Sequence, residues 1–203
     1  MGEVVHRYDG HCRHIDEEKV KTLSAEKDPS LRLSIDSCDI EFTDRWQGVQ
    51  HIHLEGELDD YVLRRGDGMY AYNLAVVLDD IAMGITEVIR GDDLLATTGQ
   101  QIYLYNTLQQ CLHSKHIKVP SYGHAPLLID SEGHRLSKRQ KSITIRELRD
   151  NQWSANRIVG ELAIAGGLVK ANTLNNREIS ISELIEIDLN LPSLRQKTIE
   201  IKI

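Results

Sequence analysis

Segments patterned as helix and as strand alternate through the middle of this chain, which predicts an α/β protein built on an open sheet. Four stretches carry that expectation. "NLAVVLDDIAMG" sets Leu74, Val77, Leu78 and Ile81 at helical spacing and stops at Gly84. "ITEVIRG" (85–91) predicts a short buried strand, and "DDLLATTGQQIYLYNTLQQCL" predicts a helix with acids in its first turn and Gly99 in its middle. "YGHAPLLID" (122–130) predicts a further apolar strand. Ligands of open α/β sheets bind beyond the carboxyl ends of the strands. Arg90 and the loop "GHRLSKR" each follow a predicted strand, so chemistry is expected there.

The flanking segments read differently. "LRLSI" (31–35), "DIEF" (39–42) and "QHIHLEG" (50–56) alternate with period two and predict a small antiparallel strand system after the turn at Asp28-Pro29. His51 and His53 share one face of it, with Ile52 and Leu54 distributed between faces. A metal role would need a third ligand, and none is near in sequence; exposed strand histidines are the plainer reading. "YVLRR" and "MYAY" predict two strands around Gly66-Asp67-Gly68. Residues 142–168 predict one amphipathic helical stretch, followed by a polar linker "KANTLNN", a helix at "SISELIEI" and a terminal alternating run able to pair as an edge strand.

Composition excludes several classes. No apolar run approaches the ~20 residues a membrane span needs, and no apolar export segment follows the first residue, so cytoplasm is the expectation. Cys12, Cys38 and Cys111 are odd in number and widely spaced, which argues against a disulfide framework; Cys38 and Cys111 are expected as buried small hydrophobes. A net charge of −7 argues against a protein that coats nucleic acid non-specifically. "HRLSKRQK" (134–141) is a basic island in that acidic chain. A loop lysine there could swing onto a phosphate and stabilise charge developing as phosphoryl bonds break, with a solvated loop as the alternative.

"RLSKR" (135–139) resembles the KMSKS motif of class I aminoacyl-tRNA synthetases. The block "LRRGDGMYAYNLAVVLDDIAMGITEVIRGDDLLATTGQQIYLYNTL" (63–108) resembles the catalytic core of the glutamyl-tRNA synthetase family. Its phrasing is closest to the short glutamyl-Q tRNA(Asp) synthetase branch, whose members attach glutamate to queuosine in the anticodon of tRNA(Asp). The similarity runs from about residue 7 to 165 and continues more weakly through "ISISELIEIDLNLPSL".

The resemblance implies the C-terminal part of a Rossmann-like nucleotide-binding fold, with a small inserted zinc and strand subdomain and a short helical C-terminal region. It divides the chain into 1–56 (zinc-binding or connective remnant), 57–133 (second half of the catalytic domain) and 134–203 (KMSKS-like loop and helices). Tyr72 and Arg90 match positions that bind L-glutamate. Lys138 matches the catalytic lysine that contacts ATP, bound with Mg2+. Arg135 stands where the family usually has lysine, and Asp93 matches an acidic position near the nucleotide; as a plain helix-terminal acid it would also be at home. Without the family, Tyr72 would read as a core aromatic and Arg90 as a surface ion-pair partner.

The opening "RYDGHCRH" (7–14) fits half of a zinc site in the same comparison: Tyr8 and Cys12 match a Y-x-x-x-C pattern, and Cys12 with His14 the alternative C-x-H pair. Zinc needs four ligands, and the partner Cys-x-Cys and the ATP-gripping HIGH-type segment have no counterpart here. The expectation is an incomplete form that is weak or inactive by itself and would need an N-terminal fragment. The alternatives are a piece of a glutamyl-tRNA synthetase charging tRNA(Glu), or a non-catalytic remnant that binds a partner fragment or tRNA.

Overall fold

The computed structural model describes residues 8–136 and 144–201, apart from the side chains of Glu57 and Leu58. In chain order its first elements are α1 (Glu17–Glu26), β1 (Leu31–Leu33), β2 (Cys38–Asp44), β3 (Gly48–Leu54), β4 (Tyr61–Arg64), α2 (Tyr72–Met83), β5 (Glu87–Gly91) and α3 (Thr98–Cys111). There follow β6 (Ser121–Ala125), β7 (Leu127–Ile129), α4 (Ile145–Asp150), α5 (Ala155–Ala165), α6 (Ile181–Glu186) and β8 (Thr198–Glu200). These divide into two compact units: Met1–Thr43, Val49–Val88 and Leu95–Ser121 form the first, and Asp44–Gly48, Ile89–Leu94 and Tyr122–Ile203 the second.

In the first unit α2 packs on α3. Val77, Leu104, Tyr105 and Ile117 form the buried centre, flanked by Leu33, Tyr61, Leu74, Val76, Ile81 and Leu108. The predicted helix over 74–84 is present and ends on Gly84, whose φ of 66° is a left-handed cap that glycine adopts without a Cβ penalty. Leu78 departs from expectation: it is exposed, and Val76 takes part in the core instead. The helix expected around Gly99 is split. Asp92–Thr97 is a 3-10 helix and α3 starts only at Thr98. Gly99 therefore sits in the first turn, where a Cβ would lie 2.8 Å from Ile52 Cγ2, so close packing against β3 is what requires glycine.

β1 pairs antiparallel with β4, with an irregularity between Leu31 and Arg32. The second strand expected at 69–72 reduces to one bridge, Arg64 to Tyr70, because Ala71 already caps α2. In the β2–β3 hairpin His51 and His53 share the solvent face, paired with Glu41 (3.1 Å) and Asp39 (2.8 Å), while Ile52 and Leu54 both turn inward. Beside it the buried Asp60 accepts from the Ile35 amide at 2.6 Å and from Arg13 at 3.1 Å. Arg13 also donates to the Ile35 carbonyl, so charge and backbone are satisfied together. Two cysteine expectations meet different ends: Cys111 is exposed, not buried, because it falls on the outer face of the last turn of α3, and Cys38 is half-buried. α1 is an element that the polar composition of the first thirty residues does not announce; Asp16 caps it by accepting from the Lys19 amide, and it buries no residue.

In the second unit Asp44, the last residue of β2, lies in parallel register with Tyr122 of β6. Pro126 interrupts the single strand expected over 122–130 and yields β6 and β7, since proline has no N–H to give a ladder. β7 pairs in parallel with β8, as the terminal alternating run leads one to expect. β5 is half-buried where a fully buried strand was expected, with Ile89 50% exposed. Where one helical stretch is expected over 142–168, the described residues from 144 onward form two helices. Thr144 starts α4 with a capping box, Gln152 turns the chain at φ 62°, and Ser154 caps α5.

α5 touches the turn at 175–177 so closely that a Cβ on Gly160 would lie 2.0 Å from the Arg177 carbonyl oxygen. Next to this contact Arg177 grips Glu161 with both ends of its guanidinium, Nε to Oε1 at 2.7 Å and Nη2 to Oε2. That grip, against the opposing effect of burial, holds the Glu161 carboxyl below its ordinary range.

Two outcomes follow from this contact. Gly160→Ala gains about 1 kcal/mol of helix propensity but drives a methyl into backbone, which costs about 3 kcal/mol or more, so urea denaturation should show a net loss of roughly 2 kcal/mol. Because folded Glu161 titrates below its unfolded value, its bond to Arg177 adds stability above an unfolded pKa of about 4.3 and loses it as pH falls through the depressed value. Glu161→Gln should therefore be less stable than the parent at pH 7 and lose less stability on acidification; equal acid sensitivity of the two proteins would refute this.

Candidate functional site

The second unit gathers its chemistry-bearing side chains where β2 ends and β6 passes beside the end of β5. Asp44 closes β2 and turns its carboxylate back on the chain, where Oδ1 accepts from the amides of Trp46 (3.0 Å) and Gln47 (2.9 Å). The same oxygen accepts from the His124 amide at 3.2 Å, and Oδ2 meets His124 Nδ1 at 2.6 Å. Both side chains are fully buried. Burial alone would push the Asp44 carboxyl up, but the Gln47 amide, the His124 ring and the amides of Trp46 and His124 outweigh it and hold the group below its ordinary range. Gln47 adds a brace, its side-chain amide donating to the carbonyls of His124 (3.0 Å) and Leu194 (3.2 Å).

Arg90, one of the residues nominated from sequence, meets this pair from the other side. Its Nε donates to His124 Nε2 at 2.9 Å, its Nη2 to the Leu94 carbonyl at 3.4 Å, and its guanidinium carbon stands 5.3 Å from the centroid of the Tyr122 ring. The Tyr122 and His124 rings are themselves stacked, 6.1 Å apart and 17° from parallel. Gly123 between them makes room: a Cβ would lie 2.9 Å from Ile89 Cδ1 and 3.0 Å from Trp46 Cζ3. Arg90 is half-buried and not a surface side chain, and it lies against an imidazole, a carbonyl and a phenol ring.

Asp93 and Arg135 come together in an ion pair of 2.9 Å, with Arg135 anchored by a bridge to Ile129 of β7. Gly91 permits the approach of Asp93, since a Cβ there would lie 2.6 Å from its Oδ1. The neighbouring Asp92 carries a buried Oδ1 with no hydrogen-bond partner among the described residues, an acceptor whose desolvation costs about 1–3 kcal/mol unless a donor arrives. Lys138 lies outside the described residues. Tyr72 belongs to the first unit, where it opens α2; it is 57% exposed, so it is not the core aromatic that its apolar surroundings suggest.

The three zinc nominees do not assemble a metal site. The Tyr8 phenol oxygen accepts from the Cys12 amide at 2.8 Å, and the Arg32 guanidinium lies 3.9 Å from the Tyr8 ring centroid, a cation where a zinc ligand would be expected to face one. Cys12 and His14 are both exposed. Among the described residues no three His, Cys, Asp or Glu side chains converge as a metal group, and a structural zinc site needs four ligands. The described residues do not fit zinc, and no chemistry is routed through it.

Asp44, Gln47 and His124 are the members of this cluster that the sequence reading misses. The signal was modest but present: "TDRWQG" carries an aspartate two and three residues before amides it can accept from, ahead of a glycine with φ 74°, and His124 is a titratable group set inside an apolar strand.

Comparison with known proteins agrees with this architecture. The family model for class I tRNA synthetases (E and Q), catalytic domain, matches residues 2–197. The glutamyl-Q tRNA(Asp) synthetase of Symbiobacterium thermophilum is 41% identical over 163 residues, covering 80% of this chain and 48% of that protein. The one from Nitratidesulfovibrio vulgaris is 40% identical over 169 residues, covering 83% of this chain and 50% of that protein. The chain thus spans about half the length of the curated relatives it matches. Among solved structures, the glutamate-tRNA synthetase of Elizabethkingia anophelis matches with a TM-score of 0.73 at 24% identity, over 97% of this chain and 43% of that one. A glutamate tRNA ligase from Elizabethkingia meningosepticum, solved with its amino acid, gives 0.66 at 21% identity over 97% and 42%. Identities this low speak for the α/β fold alone. Because the family model matches residues 2–197, nearly all of this chain, the chain belongs to the class I tRNA synthetases (E and Q), within their catalytic domain.

Proposed function

We propose that the protein takes part in the ATP-dependent activation of L-glutamate and its transfer to the queuosine base in the anticodon of tRNA(Asp). The observation that carries this reading is the identity of about 40% to curated glutamyl-Q tRNA(Asp) synthetases over some 80% of the chain. In the activation step a glutamate carboxylate attacks the α-phosphate of magnesium-bound ATP, forming the acyl-phosphate bond and expelling pyrophosphate; the acceptor oxygen then displaces AMP. Arg90 would hold a glutamate carboxylate through its planar fork, and Tyr72 would add a phenolic hydrogen bond. Lys138 and Arg135 would face the phosphates, with Asp93 releasing Arg135 as the nucleotide enters. An exposed pair like Asp93–Arg135 contributes about 0–1 kcal/mol, so exchanging its partner is easy. A cytoplasmic location goes with a tRNA acceptor.

The test uses the full-length product of the gene. Glutamate-dependent exchange of pyrophosphate into ATP is expected without any tRNA, as the glutamyl-Q resemblance implies, followed by glutamate transfer to queuosine-containing tRNA(Asp) and none to tRNA(Glu). Exchange that requires tRNA(Glu), or that another amino acid supports better, would sink the reading. Arg90→Lys keeps the charge and loses the fork, so the KM for glutamate should rise about 10- to 100-fold with a smaller fall in kcat.

A further inference from the structure

We propose that Asp44 and His124 are positioning residues that hold the Arg90 guanidinium in one orientation through a neutral imidazole. The proposal deepens, and rests on, the reading of Arg90 as the anchor of a glutamate carboxylate.

The argument follows from what each atom can do. An arginine Nε–H only donates, so His124 Nε2, 2.9 Å away, must accept. An imidazole that accepts at Nε2 carries its proton at Nδ1, and that proton is donated to Asp44 Oδ2 at 2.6 Å. The order of proton donation is therefore Arg90 to His124 to Asp44, one cation and one anion joined through a neutral ring. The groups facing His124 agree with this state: the Asp44 carboxylate on one edge, Arg90 on the other, the Tyr122 ring alongside, and Gln47 donating to its carbonyl. A doubly protonated ring would have no acceptor left for the Arg90 Nε–H and would set a second cation against that guanidinium.

Asp44 is well placed to fix the tautomer because it is itself immobilised. Its other oxygen accepts from three backbone amides, so the carboxylate cannot rotate away without breaking the turn that ends β2. At the far end, the Nε bond, the Leu94 carbonyl and the Tyr122 ring hold Arg90 from three directions. A guanidinium already fixed in plane loses less freedom when a carboxylate binds, which is affinity gained by preorganisation. This is an architecture like that of metal sites, where a carboxylate behind a histidine sets which nitrogen serves the centre, with arginine in the place of the metal.

Two substitutions separate positioning from simple packing. Glutamine at 124 carries a carbonyl oxygen near the place of Nε2 and can accept from Arg90; asparagine reaches only as far as Nδ1. His124→Asn should raise the KM for glutamate about tenfold or more, the scale of a hydrogen bond to a charged group, and His124→Gln should recover most of that loss. A purely structural histidine would make the two variants alike, and that outcome overturns the proposal. Selective 15N labelling of histidine and arginine in the full-length protein gives a readout that needs no turnover. The expected spectrum has His124 neutral with its proton on Nδ1 and a slowly exchanging Arg90 Nε–H, which stays protected in His124→Gln and exchanges fast in His124→Asn. A proton on Nε2 in the parent protein, or an imidazolium at neutral pH, overturns the relay. Absence of glutamate binding by the parent protein refutes the role given to Arg90, and the Arg90 exchange rates then decide the relay alone.

Discussion

The second unit depends on one buried carboxylate. Asp44 ends a strand, closes the turn that follows it, registers that strand against β6 and receives the ring of His124, all with two oxygens. An anion buried in this way is tolerable only because every lone pair that matters faces a donor, and the donors come from two separate stretches of chain. Removing any one of them would leave the others holding a poorly compensated charge. The interaction is thus a geometric constraint more than a source of net stability, in keeping with the general behaviour of buried ionic groups.

Glycine supplies the room that this constraint needs. Gly123 lets Ile89 and Trp46 close over β6 next to His124, and Gly91 lets Asp93 fold back against the end of β5. In the first unit Gly99 does the same for α3 against Ile52. At each of these places the backbone φ is ordinary, so the requirement is for space and not for a left-handed conformation. The first unit also has its own buried ionic anchor, Asp60 with Arg13 and the Ile35 amide, which ties the segments before α1 and after β1 to the start of β4.

How much of this was legible in the sequence depends on how local each feature is. The helix ending at Gly84 and the strands at 31–33, 38–44 and 48–54 follow from periodicity and terminators that lie within a few residues. The errors share a cause: continuous apolar texture hid punctuation. Pro126 cut one expected strand in two, Gln152 and the two caps at Thr144 and Ser154 cut one expected helix in two, and the acids of Asp92–Thr97 formed their own 3-10 turn ahead of α3. Of the site, Arg90, Asp93 and Arg135 were nominated by resemblance, and the last two do meet. The Asp44–His124 pair was not legible, because its members are 80 residues apart and no local pattern announces a pairing over that distance.

Arg90 and Arg135, both in the second unit, show how burial divides labour. Arg135 meets Asp93 near the surface, where water and salt screen the pair and the carboxylate can be exchanged for a phosphate oxygen at little cost. Arg90 meets a ring that is bonded in turn to a carboxylate, and both of those partners are fully buried, so its orientation is set by groups that solvent does not reach. A mobile cation suits a ligand that must arrive, react and leave with changed charge; a fixed one suits a ligand whose carboxylate must be held in a single pose while its other end reacts. The same residue type placed 45 positions apart in one unit can therefore be held loosely or firmly, with the difference set by what lies behind the guanidinium and not by the guanidinium itself.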